Sequence, residues 1–593
     1  MKELGRRVVF LGLFLVLICM GNRSISICAK ESTKTTVKET NAEKEETQES
    51  TQSTENIENT QESTQSTKKN IENTQESISV ETSLTDSTEE TISINKESLT
   101  LKTGESKKLK IIGTDQKIEW TSSDENVAIV NENGKVFARD SGTVTIFAKV
   151  GTKKVSCEVV VEPKKIRVVL KTTGYGSIFH SKVSITSNSK YVLVSGTEKK
   201  NYKAKKNITI TSSSSYFNKN KEIYIQSAQN GKIKINSIQR LQGGPAYRGT
   251  ICIRKVSGKG LVVINELPIE EYLYAVVSSE MPTSFNLEAL KAQAVTARSY
   301  TYSHLNSEEY KTYDADLDDS SNYQVYNNSK ETKRTIKAVD ETKSEVLKDG
   351  KAVISTYYFS TSFGQTTIPS KVWKSTIADK YYKSIFQVEG GKQKDLSNFQ
   401  SFQKFIQDKE KITYDNKSAW YRWNVTMSKK NLQKTINGKI ATCYGSYPSY
   451  VLTLQNGAYV SKKVSSIGNL KKVEVIKREK SGMVAAIKIT GGKATVQVAS
   501  VQAIRMLLAP VYDTVIKMDK STSSGLTMLP SGFFYIEDES GANGSFTVCG
   551  GGFGHGIGLS QYGANEMARQ GYGYDVILEH YFQHLQLKHI YQE

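Results

Sequence analysis

The chain has 593 residues, a formal net charge of +19, 37% hydrophobic residues and six cysteines. That length exceeds what a single core serves, so several domains are expected. The cysteines are scattered without CxxC spacing, which excludes both a disulfide framework and a cysteine-based zinc site.

Lys2, Arg6 and Arg7 precede an apolar run from Val8 to Met20, and small and polar residues follow through Ala29. This pattern predicts a secretory signal over residues 1–29. The run is shorter than the ~20 residues of a spanning helix, and Ile18 and Ile27, standing before Cys19 and Cys28, argue against lipoprotein processing. After export the chain keeps Cys157, Cys252, Cys443 and Cys549, expected to pack singly, with one bridge among them as the alternative. Residues 30–90 are nearly all Thr, Glu, Ser, Gln, Asn and Lys, with TQESTQST at Thr47 and Thr60 and NIENTQES at Asn56 and Asn70. So little apolar surface cannot offset the entropy of ordering, so this is a disordered spacer. The spacer carries net −9 and everything after it net +25. A basic exported body suits an anionic partner. Without a helix-turn-helix, RNP or zinc-finger pattern, nucleic acid is not that partner.

Residues 91–163 alternate in short runs, such as Ser98 to Lys102 and Val144 to Ala148, broken by Gly104, Asn133-Gly134 and Ser141-Gly142; a small β-sandwich is expected. Beyond it, strand patterns at Ile166 to Leu170, Ile208 to Thr211 and Leu261 to Ile264 give way to helices over Ile269 to Glu280 and about 286–304. Pro282 stops the first, and Ser284 or Asn286 can cap the second. Residues 385–545 mix strands and helices and read as an insertion. The fold class is α+β.

At about 100° per residue, Ile269, Leu273, Val276 and Glu280 fall on one stripe, while Glu270 and Glu271 point away. Desolvation on an apolar face raises a carboxyl pKa, as a general acid at neutral pH requires. The competing reading is a structural ion pair between Glu280 and Arg298 or Lys291. Near the C-terminus Gly554, Gly556 and Gly558 alternate and hold His555 between them, and Ser560 can cap a helix ending at Gly571. The stretch lacks the Lys-Ser/Thr of a phosphate loop. His580 and His584, four apart on a helix, lack a third ligand. Asp314, Asp316 and Asp318 lack the Gly and distal Glu of a calcium loop, so a solvated acidic loop is expected. No metal and no cofactor are called for.

The stretch Asn265-Glu-Leu-Pro-Ile-Glu-Glu-Tyr-Leu-Tyr-Ala-Val-Val-Ser-Ser-Glu-Met-Pro, then Leu287-Glu-Ala-Leu-Lys-Ala-Gln-Ala-Val-Thr-Ala-Arg-Ser-Tyr, resembles the core motif of the SpoIID/LytB family. Tyr247-Arg-Gly, Tyr323-Gln-Val-Tyr, Ser360-Thr-Ser, Val372-Trp373 and Gly554-His-Gly-Ile-Gly-Leu-Ser-Gln-Tyr-Gly-Ala extend the likeness over residues 164–593. Ile118-Glu-Trp-Thr-Ser-Ser-Asp-Glu-Asn-Val-Ala-Ile-Val, Asn133-Gly-Lys-Val and Ser141-Gly-Thr-Val-Thr-Ile resemble the bacterial Ig-like group 2 domain. The first resemblance implies a peptidoglycan lytic transglycosylase with Glu280 catalytic and Arg298, Ser362, His555, Ser560, Gln561 and Tyr562 binding substrate. For His555 a buried structural hydrogen bond is the other reading. One carboxyl group suffices for such an enzyme, acting as acid and then as base toward the C6 hydroxyl, whereas a hydrolase generally needs two. The chief rival, implied by the LytB branch, is a non-catalytic activator of a wall N-acetylmuramoyl-L-alanine amidase; the third is an Ig-borne adhesin. Implied partners are peptidoglycan glycan strands, anionic wall polymers and a wall amidase, with the protein secreted and wall-associated. Two departures stand out. The His/Cys zinc cluster of some sporulation members is absent, and Phe363 occupies a family glycine position, where it is expected to reshape the cleft.

Overall fold

Strand alternation builds the region from Ser93 to Glu162. In the computed structural model, which describes residues 91–591 except 229–230, 377–378, 411 and 540–543, this region holds a four-stranded and a three-stranded sheet. The first runs in the order Ser98–Lys102, Lys153–Glu162, Gly142–Val150, Glu119–Ser122, and the second Ser106–Lys108, Lys135–Ala138, Ala128–Val130. Every second residue points inward, so Val144, Ile146, Val159 and Val161 share one core with Leu99, Leu101 and Trp120. The expected signal and spacer lie outside the described residues.

This module is fastened to the body C-terminal to it. Lys164 N–H donates to Thr103 Oγ1 at 2.7 Å, and Lys343 pairs with Asp140 at 2.8 Å. Gly104, at φ 86°, lies so close to the Tyr591 ring that an added Cβ would stand 2.7 Å from it. Only glycine fits both conditions.

The body begins with an eight-stranded sheet in which Lys165–Leu170 pairs antiparallel with Gly260–Pro268 and parallel with Leu317–Asp318. The antiparallel pairing places Pro268 at the start of helix α1, Ile269–Glu280. Glu270 and Glu271 in its first turn suit the positive end of the helix dipole. The extended backbone of Met281 and the proline after it end the helix. Helix α2, Leu287–Ser303, is capped by Asn286, whose side chain accepts from Glu288 N–H. Its alanines 289, 292, 294 and 297 are all buried, and their small size lets α1 and the helices Lys333–Asp340, Gln561–Arg569 and Tyr574–Tyr581 crowd around it.

The region expected as an insertion contains a core of its own. Its separate core gathers residues from Trp420 to Phe553, over two five-stranded sheets and the helices Lys429–Ser446 and Val501–Leu507. Leu396, Phe402, Phe405 and Tyr414 instead belong to the main core. Phe363 is a core residue too: fully buried, it stacks on Phe533 at 4.3 Å between Phe402 and Phe405, so it shapes no cleft wall. The acidic loop is solvated only at its start, where the Asp314 side chain is 77% exposed. Asp318 and Asp319 have no exposure and pair with Lys171 and Arg240, while Asp316 accepts from the Arg167 and Asn306 amides. The four expected free thiols are free. His584 stands past the end of the Tyr574–Tyr581 helix, so the two histidines do not share a helical face.

Candidate active site

Glu280 is the last residue of α1 and only 5% exposed. Its stripe partners Ile269, Leu273 and Val276 are buried in the main core, as the helical spacing predicts. Among the described residues no cation pairs with the carboxyl. Oε1 accepts the Val325 N–H at 2.6 Å, and the Tyr358 hydroxyl stands close enough to the carboxyl group to lower its pKa. Burial pushes its pKa up to about 7 from an ordinary 4.5, against the opposing pull of those two donors.

A relay fixes Tyr358. Gln324 Nε2 donates to the tyrosine hydroxyl at 3.1 Å and to Ala297 O at 3.2 Å. Gln324 Oε1 accepts from Thr301 Oγ1 at 2.9 Å. With the amide donating to it, the hydroxyl is left to donate its own proton to Glu280. His555 holds the same tyrosine by the backbone: Nε2 bonds Tyr358 O at 2.9 Å, and Nδ1 accepts the Ile557 N–H at 3.0 Å. Burial lowers the imidazole pKa to about 3, so the ring is neutral with its proton on Nε2. Its edges meet Trp373, Phe359 and Tyr357. Both ring nitrogens are thus engaged within the protein, where His555 holds the backbone of Tyr358 in place. The glycines around it are obligatory at two points. A Cβ on Gly558 would lie 2.1 Å from Tyr357 O, and one on Gly556 2.7 Å from the Phe533 ring, both at positive φ.

A second cluster lies one strand step away, where Tyr358–Phe359 pairs parallel with Leu559–Ser560. Asp415 Oδ1 accepts the Ser560 hydroxyl at 2.5 Å and the Ser362 N–H at 2.9 Å. Burial pushes the Asp415 carboxyl up to about 7. Ser362 Oγ in turn accepts the Gly364 N–H at 3.0 Å. Both serines are buried, Ser560 with its hydroxyl on Asp415 and Ser362 with its oxygen accepting from Gly364. Ser560 precedes the helix Gln561–Arg569 but makes no side-chain cap bond, because its hydroxyl serves Asp415. Gln561 is buried and donates to Gln293 on α2 at 3.1 Å, and Tyr562 sets its ring edge-on to Phe285 at 5.0 Å.

Arg298 is elsewhere. Its guanidinium has no exposure, forks onto Glu270 at 2.7–3.2 Å, and donates to Val339 O and Glu345 O. Glu270 and Glu280 stand ten residues apart on α1, so about 15 Å separates that pair from the candidate acid. Arg298 here anchors α1 through a buried ion pair. The other candidate cation, Lys291, pairs with Glu288 and Glu341. Among the described residues no group of three or more His, Cys, Asp or Glu is placed to hold a metal ion, and no helix is long and apolar enough to cross a membrane.

The profile of the stage II sporulation protein family matches residues 257–348, which contain α1, Glu280, α2 and the Gln324-Val325 segment. The chain carries a SpoIID domain. A group 2 bacterial Ig-like domain matches residues 90–159, and a domain of unknown function matches residues 369–558, the stretch that holds Asp415 and His555. The chain is 27% identical over 340 residues to stage II sporulation protein D of Bacillus subtilis (strain 168), covering 55% of this chain and 75% of that one. It is 26% identical over 326 residues to the amidase enhancer of the same organism, covering 52% of this chain but only 39% of the enhancer. A solved structure of the S-layer protein SbsC, domains 5–6, aligns at 17% identity over 30% of this chain and 84% of that one, with a TM-score of 0.11, too low to bear on the fold.

Proline position, apolar spacing and motif pick out Glu280 in the sequence. Tyr358 and Asp415 carry no comparable mark: Tyr358 sits two residues before the Ser360-Thr-Ser motif, and Asp415 has no local signal at all.

Proposed function

We propose that the SpoIID domain is a peptidoglycan lytic transglycosylase with Glu280 as its single acid/base, acting on glycan strands outside the cell. The observation that carries this reading is the Glu280 carboxyl itself, buried without a counter-cation among the described residues and held between two hydrogen-bond donors. With a pKa near 7 it is about half protonated at neutral pH. The protonated form gives its proton to the glycosidic oxygen as the bond from muramic C1 to that oxygen breaks. The carboxylate so formed is stabilised by the Val325 amide and the Tyr358 hydroxyl. It then takes the proton of the muramic C6 hydroxyl, whose oxygen closes on C1. The products are a 1,6-anhydromuramic end and a free N-acetylglucosamine hydroxyl, and no water is consumed. His555 and Gln324 act through Tyr358.

Cleavage of peptide-stripped strands by the purified protein, lost in Glu280→Gln and falling as pH rises through about 7, tests the reading. The likeness to the amidase enhancer favours one alternative, a non-catalytic amidase activator. That alternative gains support if no strand is cut by the protein alone while an added wall amidase is accelerated, equally by the parent protein and by Glu280→Gln.

A further inference from the structure

Two loops of the N-terminal β layer lie against the segment that holds Glu280, and neither takes part in the proposed acid/base steps. In the first, Gly174 and Tyr175 both adopt positive φ, 72° and 59°. That region is unfavourable for a bulky L-residue and tends to be kept where function requires it. Cross-bonds hold the loop there. Tyr175 N–H donates to Thr172 O at 2.9 Å, Thr172 N–H to Ser177 O at 2.8 Å, and Gln239 N–H to Thr173 Oγ1 at 3.1 Å.

The second loop, residues 239–243, carries Arg240. Its guanidinium pairs with Asp319 at 2.5 Å, donates to Lys171 O, and lies 4.1 Å from the centre of the Tyr175 ring. The next residue, Leu241, is 68% exposed, and its N–H donates to Asn328 Oδ1 at 3.0 Å. Asn328 N–H donates in turn to the Ser279 hydroxyl at 2.9 Å, one residue before Glu280. Both loops therefore share a rigid frame with the candidate acid.

Within this frame three buried polar atoms lack a partner among the described residues: the Tyr175 hydroxyl, the Tyr247 hydroxyl and Arg240 Nε. Buried polar groups are almost always paired, so a cluster of orphans beside an active site calls for an occupant. Burial, then the charges of Asp319, Glu280 and Asp318, raise the Tyr175 pKa above the phenol range against the pull of Arg240, so the hydroxyl keeps its proton and can donate as well as accept.

We propose that Tyr175 is a substrate-contact residue: its hydroxyl bonds the acetamido group of an N-acetylated hexosamine beside the bond that Glu280 cleaves, while its half-exposed ring and Leu241 form the apolar face under that sugar. This rests on the transglycosylase reading. An acetamido group brings an acceptor carbonyl for the Arg240 Nε–H, a donor N–H for the phenol oxygen and a methyl for the leucine. The chemistry it selects is the N-acetyl group, not the peptide.

The test uses the exported chain with Glu280→Gln, so that strands bind uncut, and compares it with the same protein carrying Tyr175→Phe or Leu241→Ser. Peptide-stripped glycan strands and chemically de-N-acetylated strands are the two probes. Tyr175→Phe is expected to raise the Kd for acetylated strands five- to tenfold, to erase the preference over de-N-acetylated strands, and to leave the Tm unchanged, because the hydroxyl has no partner to lose. Leu241→Ser, fully at the surface, is expected to weaken both probes two- to threefold. An unaltered Kd in Tyr175→Phe, or a Tm lowered by several degrees, overturns the inference. If the parent protein cuts strands yet Tyr175→Phe keeps its acetyl preference, the inference falls and the transglycosylase reading stands; if the parent neither binds nor cuts strands, both fall.

Discussion

Glu280→Gln separates a pKa effect from a packing effect because its stability consequence depends on pH. The carboxyl has an ordinary pKa of 4.5 in the unfolded chain and about 7 in the folded one. At about 1.4 kcal/mol per unit, the folded state disfavours the ionised form by up to about 3 kcal/mol. The sign follows from proton counting. Between these two values the folded state binds more protons than the unfolded one, so stability falls as pH rises, and the full penalty is present above about pH 7. Glutamine has the same shape, keeps an oxygen for the Val325 N–H and does not titrate. The stability of Glu280→Gln relative to the parent should therefore grow by about 2–3 kcal/mol between pH 4 and pH 8. Denaturant unfolding of both proteins, followed by tryptophan fluorescence across that range, measures it. Asp319 and Asp415, also pushed upward by burial, contribute equally to both proteins and cancel. A difference that does not change with pH would mean that Glu280 ionises normally, and its role as an acid at neutral pH would be refuted.

Arg298→Ala should destabilise the body by about 3–5 kcal/mol, because it leaves Glu270 without its buried partner; denaturant midpoints check this, and a variant of parental stability with only a raised KM would restore Arg298 as a substrate contact. The His555 ring, lowered to about 3, should show flat NMR chemical shifts from pH 5 to pH 8, whereas a midpoint near the ordinary 6.5 would show it open to solvent. Strong chelators should leave strand cleavage and Tm unaltered, and activity lost on chelation and restored by one metal would show that the chain holds a functional metal ion after all. Deleting residues 30–162 should preserve cleavage of soluble strands but lower the Tm, since Thr103, Gly104 and Asp140 brace the body at Lys164, Tyr591 and Lys343; complete loss of cleavage would mean that the Ig-like domain contributes to the site.

What was legible in the sequence is what neighbouring residues decide. The 3.6-residue spacing and Pro282 gave α1 its bounds and turned Glu280 inward, and both hold in the structure. Alternation found the strands Ser98–Lys102 and Ile208–Thr211 residue for residue. Partnership over long separations was not legible. The sequence offers Arg298 as an ion-pair partner for Glu280, whereas the crossing of α1 and α2 gives it to Glu270. The acidic run at Asp318-Asp319 looked exposed because the partners that bury it, Lys171 and Arg240, lie about 80 to 150 residues earlier in the chain. His555 stood out in a glycine-rich motif, yet its task is set by Tyr358, nearly 200 residues away. Asp415 belongs to a segment without local pattern, and its burial depends on Ser362 and Ser560 arriving from both sides.

The most direct test of the central claim is the mass of the new ends that the purified protein makes on peptide-stripped glycan strands. Attack by the C6 hydroxyl under Glu280 predicts 1,6-anhydromuramic ends, lighter by one water than hydrolytic ends and without new reducing groups. Reducing muramic ends would contradict it, showing that water is the nucleophile and that a second carboxyl activates it.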